Sequence, residues 1–329
     1  MKRALLCSAF AALLTGCGLC PSPPSAATGT AARYPITDVA TAPATPVRNQ
    51  AKSGTCWTFG GVSLIESEAI RTRRCTLDLS EMWVVRHAYF EKAVKYVRTR
   101  GRVAFDQGGE IQDVLWLVDR YGIVPQSLYE GGAADGTYDH ASLAKAIRRL
   151  AKRIVDKKLY EKEHWQRMID EELDRRLGAR PDRFVIDGVA YTPFSYADSI
   201  GFRRDDYVAL TSFTHHPFFE RFVLEIPDNW AAHATLNIPL DSLMRLLDSA
   251  LAAGYTAAWD ADVSERGFGR RAGIALLPQQ EGRITLPAPE IVVDQPLRQR
   301  MFDTQATTDD HVMHIVGTAV DSLGNSYYK

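Results

Sequence analysis

The chain carries almost no net charge: 39 lysines and arginines stand against 40 aspartates and glutamates over 329 residues, a formal −1 at pH 7. That excludes a global attraction to nucleic acid. The one local basic cluster, Arg71, Arg73 and Arg74, reads as a solvated helix end. Long apolar runs are also missing: the stretch from Ala4 to Gly16 falls short of the ~20 residues that cross a bilayer. Cysteine is scarce, five in all. No group of His, Cys, Asp or Glu has metal-ligand spacing, so no metal and no cofactor are expected. No internal repeat is present. What remains is 46% hydrophobic and 24% charged residues, the composition of a folded soluble protein, long enough for one large domain or two small ones.

The N-terminus reads as an address. Met1-Lys2-Arg3 is a short basic start, and the apolar stretch behind it has the length of a signal-peptide core. Leu14-Thr15-Gly16-Cys17 resembles a bacterial lipobox. That resemblance implies a signal peptide over residues 1–17, lipidation at Cys17 and a membrane-anchored exported lipoprotein; Gly18 favours the outer membrane. Cleavage farther on, near Ser25-Ala26-Ala27, is the alternative. Residues 18–45 are rich in Pro, Ala, Thr and Gly and read as a flexible tether. With Cys7 in the signal core, Cys17 lipidated, Cys20 in the tether and Cys56 assigned to chemistry, no structural disulfide is expected, and Cys75 reads as a packed or surface thiol.

The most informative stretch is residues 46–59, Pro-Val-Arg-Asn-Gln-Ala-Lys-Ser-Gly-Thr-Cys-Trp-Thr-Phe. Behind Cys56 runs a helix-like apolar series, Trp57, Phe59, Val62, Leu64, Ile65, Ala69 and Ile70. Cys56 therefore starts a buried helix, where free N–H groups and the positive dipole end favour a thiolate. Six residues upstream, Gln50 offers an amide donor for a developing oxyanion. A structural cysteine beside a tryptophan is the bland reading of a lone Cys-Trp pair; the glutamine and a C-terminal histidine weigh against it.

These residues resemble the papain superfamily of cysteine peptidases. In that resemblance Gln50 matches the oxyanion-hole glutamine, Cys56 the nucleophile and Trp57 the aromatic after it, which is expected against substrate. Leu79-Ser80-Glu81 follows in order. Gly108 and Gly109, in Asp106-Gln107-Gly108-Gly109-Glu110, match the segment whose backbone pairs with an extended substrate. Next come Tyr121-Gly122-Ile123-Val124-Pro125 and Asp310-His311-Val312-Met313, with His311 as the catalytic base. Ser53 stands where classical secreted papains carry a disulfide cysteine. Nucleophile and histidine are 311 − 56 = 255 positions apart, against roughly 130–150 to the later catalytic residues of papain-like enzymes. The chain is thus similar to the bleomycin hydrolase and aminopeptidase C branch, with an insertion over about 135–230. The segments Thr214-His215-His216-Pro217, Ile226-Pro227-Asp228-Asn229-Trp230 and Ala258-Trp259-Asp260-Ala261-Asp262-Val263 look like bacterial members of that branch. The resemblance implies an α+β, two-lobed fold over residues 46–329, with a helical lobe led by the Cys56 helix, a β-rich lobe carrying His311, and a large helical insertion. It implies a peptide or protein substrate and leaves a homo-oligomer open.

Periodicity predicts helices over 56–73, 80–97, 109–122 and 240–253, the last capped by Gly254. It also predicts a charged helical stretch over 140–177, with Leu143, Ile147, Leu150 and Ile154 on one face. The string Ser142-x-x-Lys145 falls inside that stretch and reads as coincidence. Strands are predicted at 207–213, 222–226, 255–259 and 311–320. On a strand, His311, Met313 and Ile315 share one face and His314 points to the other. His215 and His216, adjacent in sequence, are not expected to converge. The asparagine that orients the histidine in the family has no match here: Asn325 lies in a turn, and Ser326–Lys329 reads as the start of the return strand, which leaves the C-terminus apparently incomplete. Three alternatives stay open beside an aminopeptidase: an endopeptidase, a catalytically impaired lipoprotein serving as a binding module, and another Cys-His enzyme such as a cell-wall amidase or acyltransferase.

Overall fold

The structure, a computed structural model, describes residues 3–6, 35–132, 137–270, 272–279 and 288–329. The proposed lipidation site Cys17, Cys20 and the signal residues beyond Leu6 lie outside them. In chain order the elements are β1 (Arg3–Leu6), β2 (Ile36–Thr41), α1 (Cys56–Arg73), α2 (Glu81–Arg98), α3 (Ile111–Tyr121), α4 (Ala141–Asp156), α5 (Lys162–Leu177), β3 (Phe184–Ile186), β4 (Val189–Tyr191), α6 (Pro193–Ser199), β5 (Leu210–Thr211), β6 (Arg221–Val223), β7 (Ala234–Asn237), α7 (Leu240–Ala252), β8 (Ala257–Ala261), β9 (Phe268–Gly269), β10 (Ile274–Ala275), α8 (Gln295–Asp303), β11 (His311–Ile315), β12 (Gly317–Asp321) and β13 (Ser326–Tyr328). No described helix is long and apolar enough to cross a membrane.

The chain forms two compact units, one of Met1–Thr41, Ser264–Val292 and Gly317–Lys329, the other of Ala42–Val263 and Val293–Val316. The smaller is a sheet in the order β2-β12-β13-β1-β10-β9, with Ile274, Leu276, Ala319 and Tyr327 buried in its own core. Residues 36–41, inside the span read as tether, form β2 antiparallel to β12. Arg3–Leu6, at the head of the span read as signal peptide, pairs in parallel with β13.

The larger unit holds the main core. α1 buries Trp57, Val62, Ile65 and Ala69 at helical spacing. Two adjacent glycines let neighbours approach it closely: a Cβ on Gly60 would come within 2.7 Å of Val312 Cγ1, and one on Gly61 within 2.6 Å of Val114 Cγ2. The Ser80 side chain caps α2 by accepting the Trp83 N–H, and Glu110 with Asp113 forms a capping box on α3. The predicted stretch 140–177 is two helices, because Lys157 caps α4 and Lys158 takes φ +54. α4 buries Leu143, Ile147, Ala151 and Ile154; α5 buries Trp165, Ile169, Leu173 and Leu177. The fully buried Arg86 of α2 ties α5 down through Asp170 and Asp174, at 3.0 and 2.5 Å. Gly254 closes α7 with φ +83. The predicted strands at 207–213 and 222–226 shrink to β5 and β6, which flank β7. The run 311–320 is two strands in two different sheets: β11 pairs with β8, and β12 with β2 and β13.

Candidate active site

Cys56 is the first residue of α1, and His311 the first of β11. α1 packs on β11 and β8 inside one unit, so the division into units does not separate the two residues. The backbone N–H of Val312, the residue after His311, faces the Cys56 sulfur, as does that of Trp57. Both favour a thiolate. Burial opposes them and wins, helped by the negative charges of Asp260 and Asp228, so the Cys56 thiol is pushed above its ordinary value. Burial and these two carboxylates therefore act against the thiolate that the helix start favours. Cys56 and Cys75 are both free, half-buried thiols.

Val312 and His314 share the face of β11 turned to α1. Val312 meets Gly60, and His314 Nδ1 lies 2.8 Å from Ser63 Oγ. Burial pushes His314 down to about 4. The alternation anticipated for His311 and His314 is what β11 shows, and His314 is a packed neutral imidazole. Gln50 sits in a tight turn that closes on Ser53, with its Nε2 donating to the Ser53 carbonyl at 2.5 Å and the Ser53 hydroxyl donating to the Gln50 carbonyl at 2.8 Å.

Gln107, which carries no motif role in the sequence, holds the loop on both sides of Cys56. Its Oε1 accepts the Gly54 N–H at 2.8 Å, and its carbonyl accepts the Trp57 indole N–H at 3.0 Å. A polar residue directly before two glycines was the only available signal. Trp57, expected against substrate, is 1% exposed and lies under Gly109, where a Cβ would come within 2.8 Å of the indole. It supports the glycine segment from below. Gly108 is likewise engaged: the buried Lys92 ammonium donates to its carbonyl and, at 3.0 Å, to that of Asp106. A Cβ on Gly108 would fall onto the Asp228 carboxylate. The Gly108 carbonyl is thus engaged within the protein.

Carboxylates crowd this region. Glu110, Asp260 and Asp309 bring one oxygen each within 4.8 Å of the others. Burial, then the neighbouring Asp260, pushes Glu110 up to about 9. Burial, then Asp309 and Asp228, pushes Asp260 up to about 7. Asp309 accepts the Asp228 backbone N–H, which pins the segment carrying Asp228 two residues before His311. A second grouping corrects another expectation. His215 and His216 do converge, with Nε2 atoms 3.1 and 2.7 Å from the two oxygens of Glu225. They sit in an irregular loop, where strand alternation does not apply. Gln299 Nε2 donates to His215 Nδ1 at 3.0 Å while its Oε1 accepts from Thr214. That arrangement leaves the proton on His215 Nε2, the atom a metal would need, so the trio reads as a hydrogen-bonded cluster.

No family model matches the chain. It is 22% identical to the aminopeptidase C of Lactococcus lactis subsp. cremoris over 85% of this chain and 72% of that protein. The solved structure of PepW from Lactobacillus rhamnosis HN001 shares the fold with a TM-score of 0.62, at 17% identity, over 91% of this chain and 79% of that one.

Proposed function

We propose that this chain is a papain-like cysteine peptidase that cleaves peptide bonds through Cys56 and His311, acting as an aminopeptidase. The observation that carries the reading is the seating of the start of α1 on the start of β11, which turns the Val312 N–H to the Cys56 sulfur; His311 is the residue before Val312. The likeness to aminopeptidase C and the shared fold support it. In this reading His311 takes the thiol proton as sulfur attacks the peptide carbonyl carbon. It then passes that proton to the leaving amine as the C–N bond breaks, and water hydrolyses the thioester. The Gln50 amide and the Cys56 N–H receive the oxyanion, where a lost donor typically costs about 2.7–4 kcal/mol in the barrier.

The raised Cys56 thiol favours one competing reading, a binding module that keeps the fold without turnover. Two measurements separate them. Wild type should hydrolyse alanyl-7-amido-4-methylcoumarin, and Cys56→Ala and His311→Ala should each abolish this with the melting temperature preserved. Turnover that survives in Cys56→Ala overturns the peptidase reading. We also propose export and anchoring through a lipid on Cys17; if Cys17→Ser fractionates with membranes as wild type does, the anchor lies elsewhere.

A further inference from the structure

The Asp228 carboxylate rests on Gly108 where the peptidase reading would run a substrate's backbone. Gly108 follows Gln107, which is locked to Gly54 and Trp57 on either side of Cys56. The Asp228 charge also acts on the Cys56 thiol, so a peptide lying along residues 107–109 toward the sulfur would meet Asp228 close to its reacting carbonyl. The segment that carries Asp228 is not a loose loop. Its backbone N–H is held by Asp309. The Asn229 side chain donates to the carbonyls of Leu224 and His233, both at 3.1 Å, and Lys95 donates to the Trp230 carbonyl. Asp228 thus spans from the glycine segment to the strand entrance that carries His311.

We propose that Asp228 is the specificity-determining residue of this site: it closes the cleft over Gly108 and receives the α-ammonium of a peptide's first residue, so that a single residue precedes the bond offered to Cys56. The inference rests on the peptidase reading for the direction in which substrate lies. An acyl cap on the amino group would remove the charge and collide with the closed end. A longer N-terminal extension would have no path past Asp228. The carboxylate suits the task electrostatically. Burial, then Asp309, raises it only to about 6, so it is ionised at neutral pH, when its neighbour Glu110 holds its proton. Lys92 gives donors to the carbonyls of Asp106 and Gly108, on the protein's own backbone.

The test reads binding apart from turnover. In a Cys56→Ala background, calorimetry should show Ala-Ala binding about 10- to 100-fold more tightly than N-acetyl-Ala-Ala, the range expected of a charged hydrogen bond. Asp228→Asn, which keeps the side-chain shape, should erase that preference. Asp228→Ala, which opens the end, should strengthen binding of the acetylated peptide. Circular dichroism checks that each variant is folded, and the isosteric variant decides the matter if the alanine variant is not. The proposal is overturned if the preference is absent at the outset, if it survives Asp228→Asn, or if that variant weakens both ligands equally. Selective binding without hydrolysis by the protein with Cys56 intact would sink the peptidase reading and leave the role of Asp228 standing.

Discussion

Gly60→Ala is the most direct probe of the contact that builds the site. The residue is one turn after Cys56, on the same face of α1, and the added Cβ would lie 2.7 Å from Val312 Cγ1. Two effects compete. Alanine in a helix interior is favoured over glycine by about 1 kcal/mol. Overpacking a buried contact costs about 1–3 kcal/mol. The upper part of that range applies here, because Val312 is 5% exposed and its β-branched side chain is stiff at χ1. The net expectation is a loss of roughly 1–2 kcal/mol, or about 2–4 °C in melting temperature per kcal/mol for a unit of this size. Relief comes most easily by sliding β11 off α1. That moves the Val312 N–H away from the sulfur and His311 with it, so kcat/KM should fall together with stability. Val312→Ala should remove the clash, making the double variant more stable than the two single effects predict. Gly61→Ala is the control: it meets Val114 of α3 at 2.6 Å and should cost stability with a smaller loss of activity. A Gly60→Ala protein that melts higher than wild type with full turnover, and a cycle with Val312→Ala that is additive, would refute this account of the contact.

Three further outcomes follow from the electrostatics and the α2–α5 clamp. Asp260→Asn removes a negative charge that holds the Cys56 thiol up, so iodoacetamide at pH 8 should label Cys56 severalfold faster than in wild type, with Cys75 unchanged as internal reference; equal rates would show that burial alone sets the thiol. Glu110, raised to about 9 by burial and Asp260, contributes stability that is fully present below its unfolded value and lost as pH rises toward 9. Denaturant melts between pH 6.5 and 9 should therefore weaken with pH, and Glu110→Gln should flatten that slope; this range also clears His140 and His314, both lowered to about 4 by burial, whose loss falls between pH 6.5 and 4. Arg86→Met leaves Asp170 and Asp174 without their buried partner; because both carboxylates are partly exposed and rehydrate, the cost should be about 1–3 kcal/mol, below the 3–5 typical of a fully buried broken pair, and a neutral result in a chemical melt would show the clamp to be dispensable.

The parts of this fold that were legible in the sequence are those set by local periodicity. The apolar series after Cys56 gave α1 its residues, and Gly254 marked the end of α7 because only a positive φ closes that turn easily. The period of two separates His311 from His314, and β11 keeps that separation. Errors arose where a single residue breaks a periodic run. Lys158 turns one predicted helix into two, and Gly317, whose missing Cβ admits the Ala40 carbonyl, begins a strand in a different sheet. Least legible was the chemistry around Cys56. Its setting depends on Asp228 and Asp260, which in turn meet Glu110 and Asp309, carboxylates from four separate segments that come together only on folding. The family resemblance matches Gly108 and Gly109 to a segment whose backbone pairs with substrate. The missing side chain of Gly108 also makes room for Asp228. A glycine records that something comes close to the backbone, and only the folded chain shows what that is. The same limit applies to the thiol: a helix start lowers a cysteine's pKa while burial and nearby negative charge raise it, and neither of these is written in the few residues beside Cys56.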